Sequence, residues 1–224
     1  MTKKTGKRGG LAMFAGLMLI ASALLLTLYN LNEQQQGYEA AITVAASLTD
    51  SIPETIPDPP KAATPQEAAL LEAVEPPFIL HPDLPMPEME IEGNLYVGIV
   101  EIPALNLALP VMSQSSDAKL KISPCRFWGS VYTHDLVISA HNYERHFGRL
   151  KDLPMGSEVR FTDMDGNVFL YSTVDTDTLR RAAVPEMCAP NENWDLTLFT
   201  CTVGGKTRFT LRCKLTDYLW NRPQ

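Results

Sequence analysis

Cysteine and histidine are scarce in this chain, with four of each among 224 residues, and no two cysteines stand in CxxC spacing. That spacing argues against a structural zinc site, for which Cys125, Cys188, Cys201 and Cys213 would have to supply paired ligands. No metal is expected. A surplus of positive charge is missing too. The net charge is -7, and residues 91–224 hold fourteen basic groups against fifteen acidic ones. They lack the basic stripe with which proteins bind phosphate backbones, so nucleic acid is excluded as a partner.

Long apolar runs are absent except for one. Lys3, Lys4, Lys7 and Arg8 precede an uncharged run from Gly9 to Asn32, mostly apolar between Leu11 and Leu31. That matches the ~20 residues a helix needs to cross a bilayer, with basic charge kept on the cytoplasmic side. Residues 1–10 therefore read as a cytoplasmic tail, 11–31 as a transmembrane signal anchor in the cell membrane, and the rest as extracellular. Ala21-Ser22-Ala23 has the small residues of a cleavage site, but leucines continue beyond it, which favours an uncleaved anchor.

Residues 32–90 carry eleven acidic groups against one basic, and ten prolines fall between Pro53 and Pro87. Residues 32–90 therefore read as an extracellular stalk, in which the segment from Pro53 to Pro87 buries too little apolar surface to fold alone and is expected to be extended. Residues 33–52 could continue the helix for some turns beyond the membrane. From Ile91 the pattern changes to short alternating runs, and residues 91–224 are expected to form a mainly β domain with short helices. Strands are expected at Leu95–Pro103, Leu107–Val111, Asp135–His141, Glu158–Asp163, Asn167–Val174, Leu196–Cys201 and Lys206–Thr216. The Asp165-Gly166 pair reads as a hairpin turn, and short helical turns are expected at Ser116–Leu120 and Phe147–Leu153. So many short strands point to a closed barrel or sandwich, because closure removes exposed sheet edges.

Phe209, Leu211, Cys213 and Leu215 share one face of the last strand, while Arg208 and Arg212 share the other. The apolar face is the core side, and Cys213 is then a small buried hydrophobe. In LTLFTC (Leu196–Cys201), Leu196 and Leu198 are the better core residues, which puts Cys201 on the outer face with Arg208. A neighbouring guanidinium lowers a thiol pKa and can hold a developing oxyanion. A thiol nucleophile also calls for an imidazole that takes and returns a proton. His81 lies in the stalk and His134 in a turn, whereas His141 ends its strand in phase with Val137 and Ser139. His146, five residues on, stays open as an alternative.

Thr197-Leu198-Phe199-Thr200-Cys201 resembles the TLxTC signature of the sortases. Ala140-His141-Asn142 stands sixty residues earlier and Arg208 seven residues later, in the family's order. The resemblance spans roughly residues 91–218 and implies a closed eight-stranded sortase-type β-barrel with its active site in a groove on the outer wall. It implies Cys201 as nucleophile, His141 as general acid and base, Arg208 as the residue that orients substrate and stabilises the oxyanion, and Thr200 as part of the groove lining. The implied reaction is cofactor-free transpeptidation in a Gram-positive bacterium. A C-terminal sorting motif of a secreted protein is cleaved through a Cys thioacyl intermediate, and the protein is passed to a peptidoglycan amine. His141–Leu150 resembles the loop after the catalytic histidine of class B sortases, whereas the segment between Leu179 and Trp194 is short for that class. The subclass stays open. Two rival readings are a non-catalytic, membrane-tethered barrel that binds wall components and a thiol peptidase that releases its acyl enzyme to water.

Overall fold

A computed structural model describes residues 6–53, 75–189, 192–202 and 204–221. Helix α1 (Gly6–Ser51) opens the chain, and its apolar first half is long enough to cross a membrane by length and composition. Nine strands follow: β1 (Met89–Ile91), β2 (Asn94–Ile102), β3 (Leu107–Met112), β4 (Cys125–Trp128), β5 (Leu136–Ala140), β6 (Glu158–Asp163), β7 (Val168–Arg180), β8 (Leu196–Cys201) and β9 (Thr207–Leu219). Three short helices, α2 (Pro77–Leu80), α3 (Asp117–Leu120) and α4 (Val184–Cys188), complete the described elements together with two single 3-10 turns.

The strands run in the order β1-β2-β3-β4-β5-β8-β9-β7-β6, and β2 also pairs with β6. Eight strands, β2 to β9, therefore close a ring, and β1 is added at its edge. This is the mainly β closed barrel that the alternating runs predicted. Gly98 sits where the ring closes, opposite Asp163 of β6 and Val111 of β3. A Cβ there would lie 2.4 Å from the Phe161 ring and from the Thr162 carbonyl oxygen, so only glycine lets the two strands meet.

Inward residues of every ring strand except β4 fill the barrel, among them Val100, Leu109, Ile138, Phe161, Leu198 and Leu211. Each such buried side chain contributes about 1.5–3 kcal/mol relative to exposure. The β8 phase is the one expected: Leu196, Leu198, Leu211 and Cys213 all lie in this core. Central strands β5 and β8 are joined in parallel and are buried along nearly their whole length, as parallel strands covered on both faces must be.

Several elements differ from the sequence expectation. Strand β4 was not foreseen, because Cys125–Trp128 does not alternate in polarity and is too short to show a period. Strands β7 and β9 run on to Arg180 and Leu219, since each supplies the other's ladder hydrogen bonds through polar stretches such as Asp175–Thr178. The helical turn expected at Phe147–Leu153 is reduced to Leu150–Asp152. The helix at Asp117–Leu120 forms as expected, capped by Ser116, whose Oγ accepts from the Lys119 amide at 3.2 Å.

The helix expected to continue over residues 33–52 does so as far as Ser51, but the stalk does not stand clear of the barrel at either described end. The second half of α1 lies against the barrel with Ala41, Val44 and Leu48 buried, and Phe78 and Met86 enter the core. Apolar residues spaced four and three apart in the acidic segment gave α1 a face to bury. Phe78 stacks on Tyr132 at 5.2 Å between ring centroids. The proline-rich centre, residues 54–74, lies outside the described residues.

Candidate active site

Strands β5 and β8 pair in parallel from Leu136 opposite Leu196 to Ala140 opposite Thr200. His141 and Cys201 are each the next residue on, at the ends of neighbouring strands about 5 Å apart. On its other side β8 pairs antiparallel with β9, and Cys201 stands opposite Arg208. One row across three strands thus carries His141, Cys201 and Arg208. Alternation along the strands turns all three to the outer face, since Ala140, Leu198 and Leu211 point into the core. His141, Cys201 and Arg208 are half-buried, and His141 Nε2 is itself buried without a hydrogen-bond partner among the described residues.

Loop residues 141–148 fix the imidazole. The Tyr143 ring stacks on His141 with centroids 4.8 Å apart and planes 25° apart. The Phe147 amide donates to the His141 carbonyl at 3.2 Å and the Gly148 amide to the Tyr143 carbonyl at 2.9 Å. Burial holds the His141 pKa below its ordinary value, opposed by the Glu33 carboxylate, so burial favours the neutral imidazole, which can accept a proton. His146 is fully buried, and neither of its ring nitrogens has a hydrogen-bond partner among the described residues. Burial, reinforced by neighbouring His141, pushes its pKa down to about 4. A neutral imidazole sealed in this way is a packing residue and lacks the access that proton exchange with substrate needs.

Three further thiols lie in the domain. Cys213 and Cys125 are fully buried, and burial pushes their pKa values up, that of Cys125 to about 11. Cys188 is half-buried in the segment between β7 and β8, and burial raises its pKa as well. These three thiols are biased toward the inert protonated form. Arg208 is held by its own turn, with Nη1 donating to the carbonyls of Thr207 at 3.4 Å and Gly205 at 3.5 Å. Thr200 falls on the opposite strand phase from Cys201. Its side chain is buried facing Phe209, and its hydroxyl has no partner among the described residues.

Arg212 was expected to project from the outer wall. It has that phase, but only 3% of it is exposed. Its guanidinium lies over the Trp194 ring at 4.5 Å and donates to Thr197 Oγ1 at 2.7 Å and to the Met187 carbonyl at 3.1 Å. The chain between β7 and β8 folds back over the strands, and α4 seals a second small core of Val137, Leu179, Ala183, Met187 and Phe199. This apolar patch adjoins the row of His141, Cys201 and Arg208. Phe127 meets Phe199 edge to face at 5.2 Å and stays partly exposed beside it. The segment between Leu179 and Trp194 was singled out from sequence, but its helix α4 and the buried position of Arg212 were not. His134 adopts a left-handed backbone (φ 57°) at the far end of β5, with Nδ1 3.9 Å from Asp195. It lies far from Cys201.

A family model described as the sortase domain matches residues 100–216, which contain the whole row. A comparison with curated proteins gives no match. Similar solved structures include sortase C-3 from Streptococcus pneumoniae, 14% identical with a TM-score of 0.50, covering 85% of this chain and 86% of that one. Sortase A from Listeria monocytogenes is 20% identical with a TM-score of 0.48, over 55% of this chain and 89% of that one. The sortase D5 transpeptidase from Clostridium perfringens is 19% identical with a TM-score of 0.48, over 55% and 79%. At such identities the first of these shows a shared fold and nothing finer.

Proposed function

This chain belongs to the sortase family of cysteine transpeptidases, and from that premise we propose that it cleaves a sorting motif near the C-terminus of secreted proteins and joins them to a peptidoglycan amine. The observation that carries the reading is the single outward row of His141, Cys201 and Arg208 across β5, β8 and β9.

In this mechanism Cys201 Sγ attacks the carbonyl carbon of the scissile peptide bond while His141 takes the thiol proton. The tetrahedral oxyanion is met by the Arg208 guanidinium. Collapse breaks the carbon–nitrogen bond, His141 returns its proton to the departing amine, and a thioester to Cys201 remains. An incoming amine then attacks the thioester, gives a proton to His141, and restores the Cys201 thiol as the new amide forms. The thioester conserves the energy of the peptide bond, so the residues of this chain complete the exchange without a cofactor. Thr200 adds its backbone to the groove floor, because its side chain faces inward.

The exposed ring of Phe127, edge to face on the buried Phe199, suits an apolar side chain of the substrate. We place residues 1–10 in the cytoplasm, the 11–31 segment across the membrane, and the catalytic domain, 91–224, outside. The exposed leucines of α1 between Leu11 and Leu31 support the crossing, and the basic Lys3, Lys4, Lys7 and Arg8 support the cytoplasmic side.

Product analysis tests the reading. The full chain in detergent micelles is incubated with a panel of sorting-motif peptides, with and without a glycine-type amine. Transpeptidation predicts a new amide product that grows with amine concentration. Hydrolysis that ignores added amine would favour the thiol peptidase, and no cleavage of any peptide would favour the wall-binding barrel.

A further inference from the structure

Beyond the membrane-length stretch, α1 carries a stripe of buried residues, Gly37, Ala41, Val44 and Leu48, at helical spacing. Gly37 is the point of closest approach. A Cβ at that position would lie 2.5 Å from the backbone oxygen of Lys121, just after α3. One turn earlier, Glu33 Oε1 lies 2.7 Å from Lys121 Nζ. One residue after Gly37, the Tyr38 ring carries the Arg145 guanidinium 4.3 Å from its centroid. Arg145 belongs to the loop whose Tyr143 stacks on His141.

We propose that the second half of α1 is a working part of the catalytic site, in which Glu33, Gly37 and Tyr38 are positioning residues that hold the His141 loop against the barrel. This rests on the reading of His141 and Cys201 as the reacting pair. The exposed Glu33–Lys121 pair contributes little energy by itself. The buried stripe supplies the docking, and the pair and the Tyr38–Arg145 contact set its register over the loop.

Electrostatics point the same way. The groups around His141 are the Glu33 carboxylate from α1, Asp117 and Lys121 from α3 and its end, Tyr143 and His146 from its own loop, Cys201 from the adjacent strand β8, and Arg208 from β9 one strand further on. Burial lowers the His141 pKa, Glu33 and Asp117 oppose that shift, and Lys121 adds to it.

The test uses the full chain in lipid nanodiscs, measuring peptide cleavage across pH together with hydrogen exchange in residues 141–148. Gly37→Leu is expected to lower kcat on the order of tenfold or more with little change in KM, because the reacting groups lose their alignment. Exchange in the loop should rise in parallel. Glu33→Gln, which leaves the packing stripe intact, is expected to shift the His141 limb of the pH profile toward acid. Gly16→Leu, on the same helix with open space around it, is expected to behave as the parent chain. Wild-type kcat and unchanged exchange in Gly37→Leu, or an unmoved pH profile in Glu33→Gln, would overturn the proposal. A fully active His141→Ala would overturn the underlying reading and this one with it, whereas an inactive His141→Ala beside a normal Gly37→Leu would overturn only the role of α1.

Discussion

Cys201 and Arg208 stand directly opposite each other across the β8–β9 pair, with both side chains on the face turned away from the barrel core. The strand register thus holds the two backbones side by side, while the guanidinium itself donates to the Gly205 and Thr207 carbonyls of its own turn. If Arg208 meets the oxyanion, Arg208→Ala should slow acylation of Cys201 on the order of 10²- to 10³-fold. Alkylation of Cys201 by iodoacetamide should continue, because the thiol itself is untouched. Stopped-flow acylation with parallel alkylation rates separates the two effects.

His146 makes the domain sensitive to acid. Its folded pKa lies at about 4, below an ordinary value of 6.5. Between those values the unfolded chain binds a proton that the folded chain refuses, so stability falls as pH drops through this window. The slope approaches 1.4 kcal/mol per pH unit and the full loss is on the order of 3 kcal/mol. His146→Leu should flatten that limb in urea titrations at pH 7, 6, 5 and 4.

Gly148 gives the His141 loop its tight turn. A Cβ there would meet the backbone oxygens of Asn142 at 2.6 Å and Tyr143 at 2.7 Å. Gly148→Ala should therefore cost about 1–3 kcal/mol of stability, as overpacking does. Cleavage should also lose rate, since the loop cannot yield without moving the imidazole. Thermal melts and kcat together check this.

Arg212 clamps the segment between β7 and β8 from below. Removing its guanidinium leaves the Met187 carbonyl and the Thr197 hydroxyl without their donor, at a cost of about 2 kcal/mol or more. Arg212→Ala should raise KM for peptide more than it lowers kcat, because Phe199 and Met187 lose their cover while Cys201 keeps its neighbours. Lysine should not rescue, since it cannot both stack on Trp194 and fork to two acceptors.

Much of this was legible because strand phase is a two-valued property. Alternation in Leu196–Cys201 and Thr207–Leu215 placed Leu198, Leu211 and Cys213 inside and Cys201 with Arg208 outside, and the register agrees. Periodicity does not report which strands become neighbours, so the parallel pairing that sets His141 beside Cys201 had to be seen. Composition misled at α1: acidic and proline-rich averages over residues 32–90 hid the spacing of Gly37, Ala41, Val44 and Leu48. Outward phase also failed to mean exposure for Arg212, because the chain beyond β7 returns to cover it, and no local pattern announces such a return.

The most direct test of the central claim is intact-mass trapping of the acyl enzyme. The full chain is mixed with sorting-motif peptides without an amine and quenched in acid within seconds, and the adduct is mapped by peptide sequencing. One thioester should form, on Cys201, disappear when an amine is added and never form in Cys201→Ala. An adduct that persists in Cys201→Ala, or that maps to Cys188, would contradict that claim.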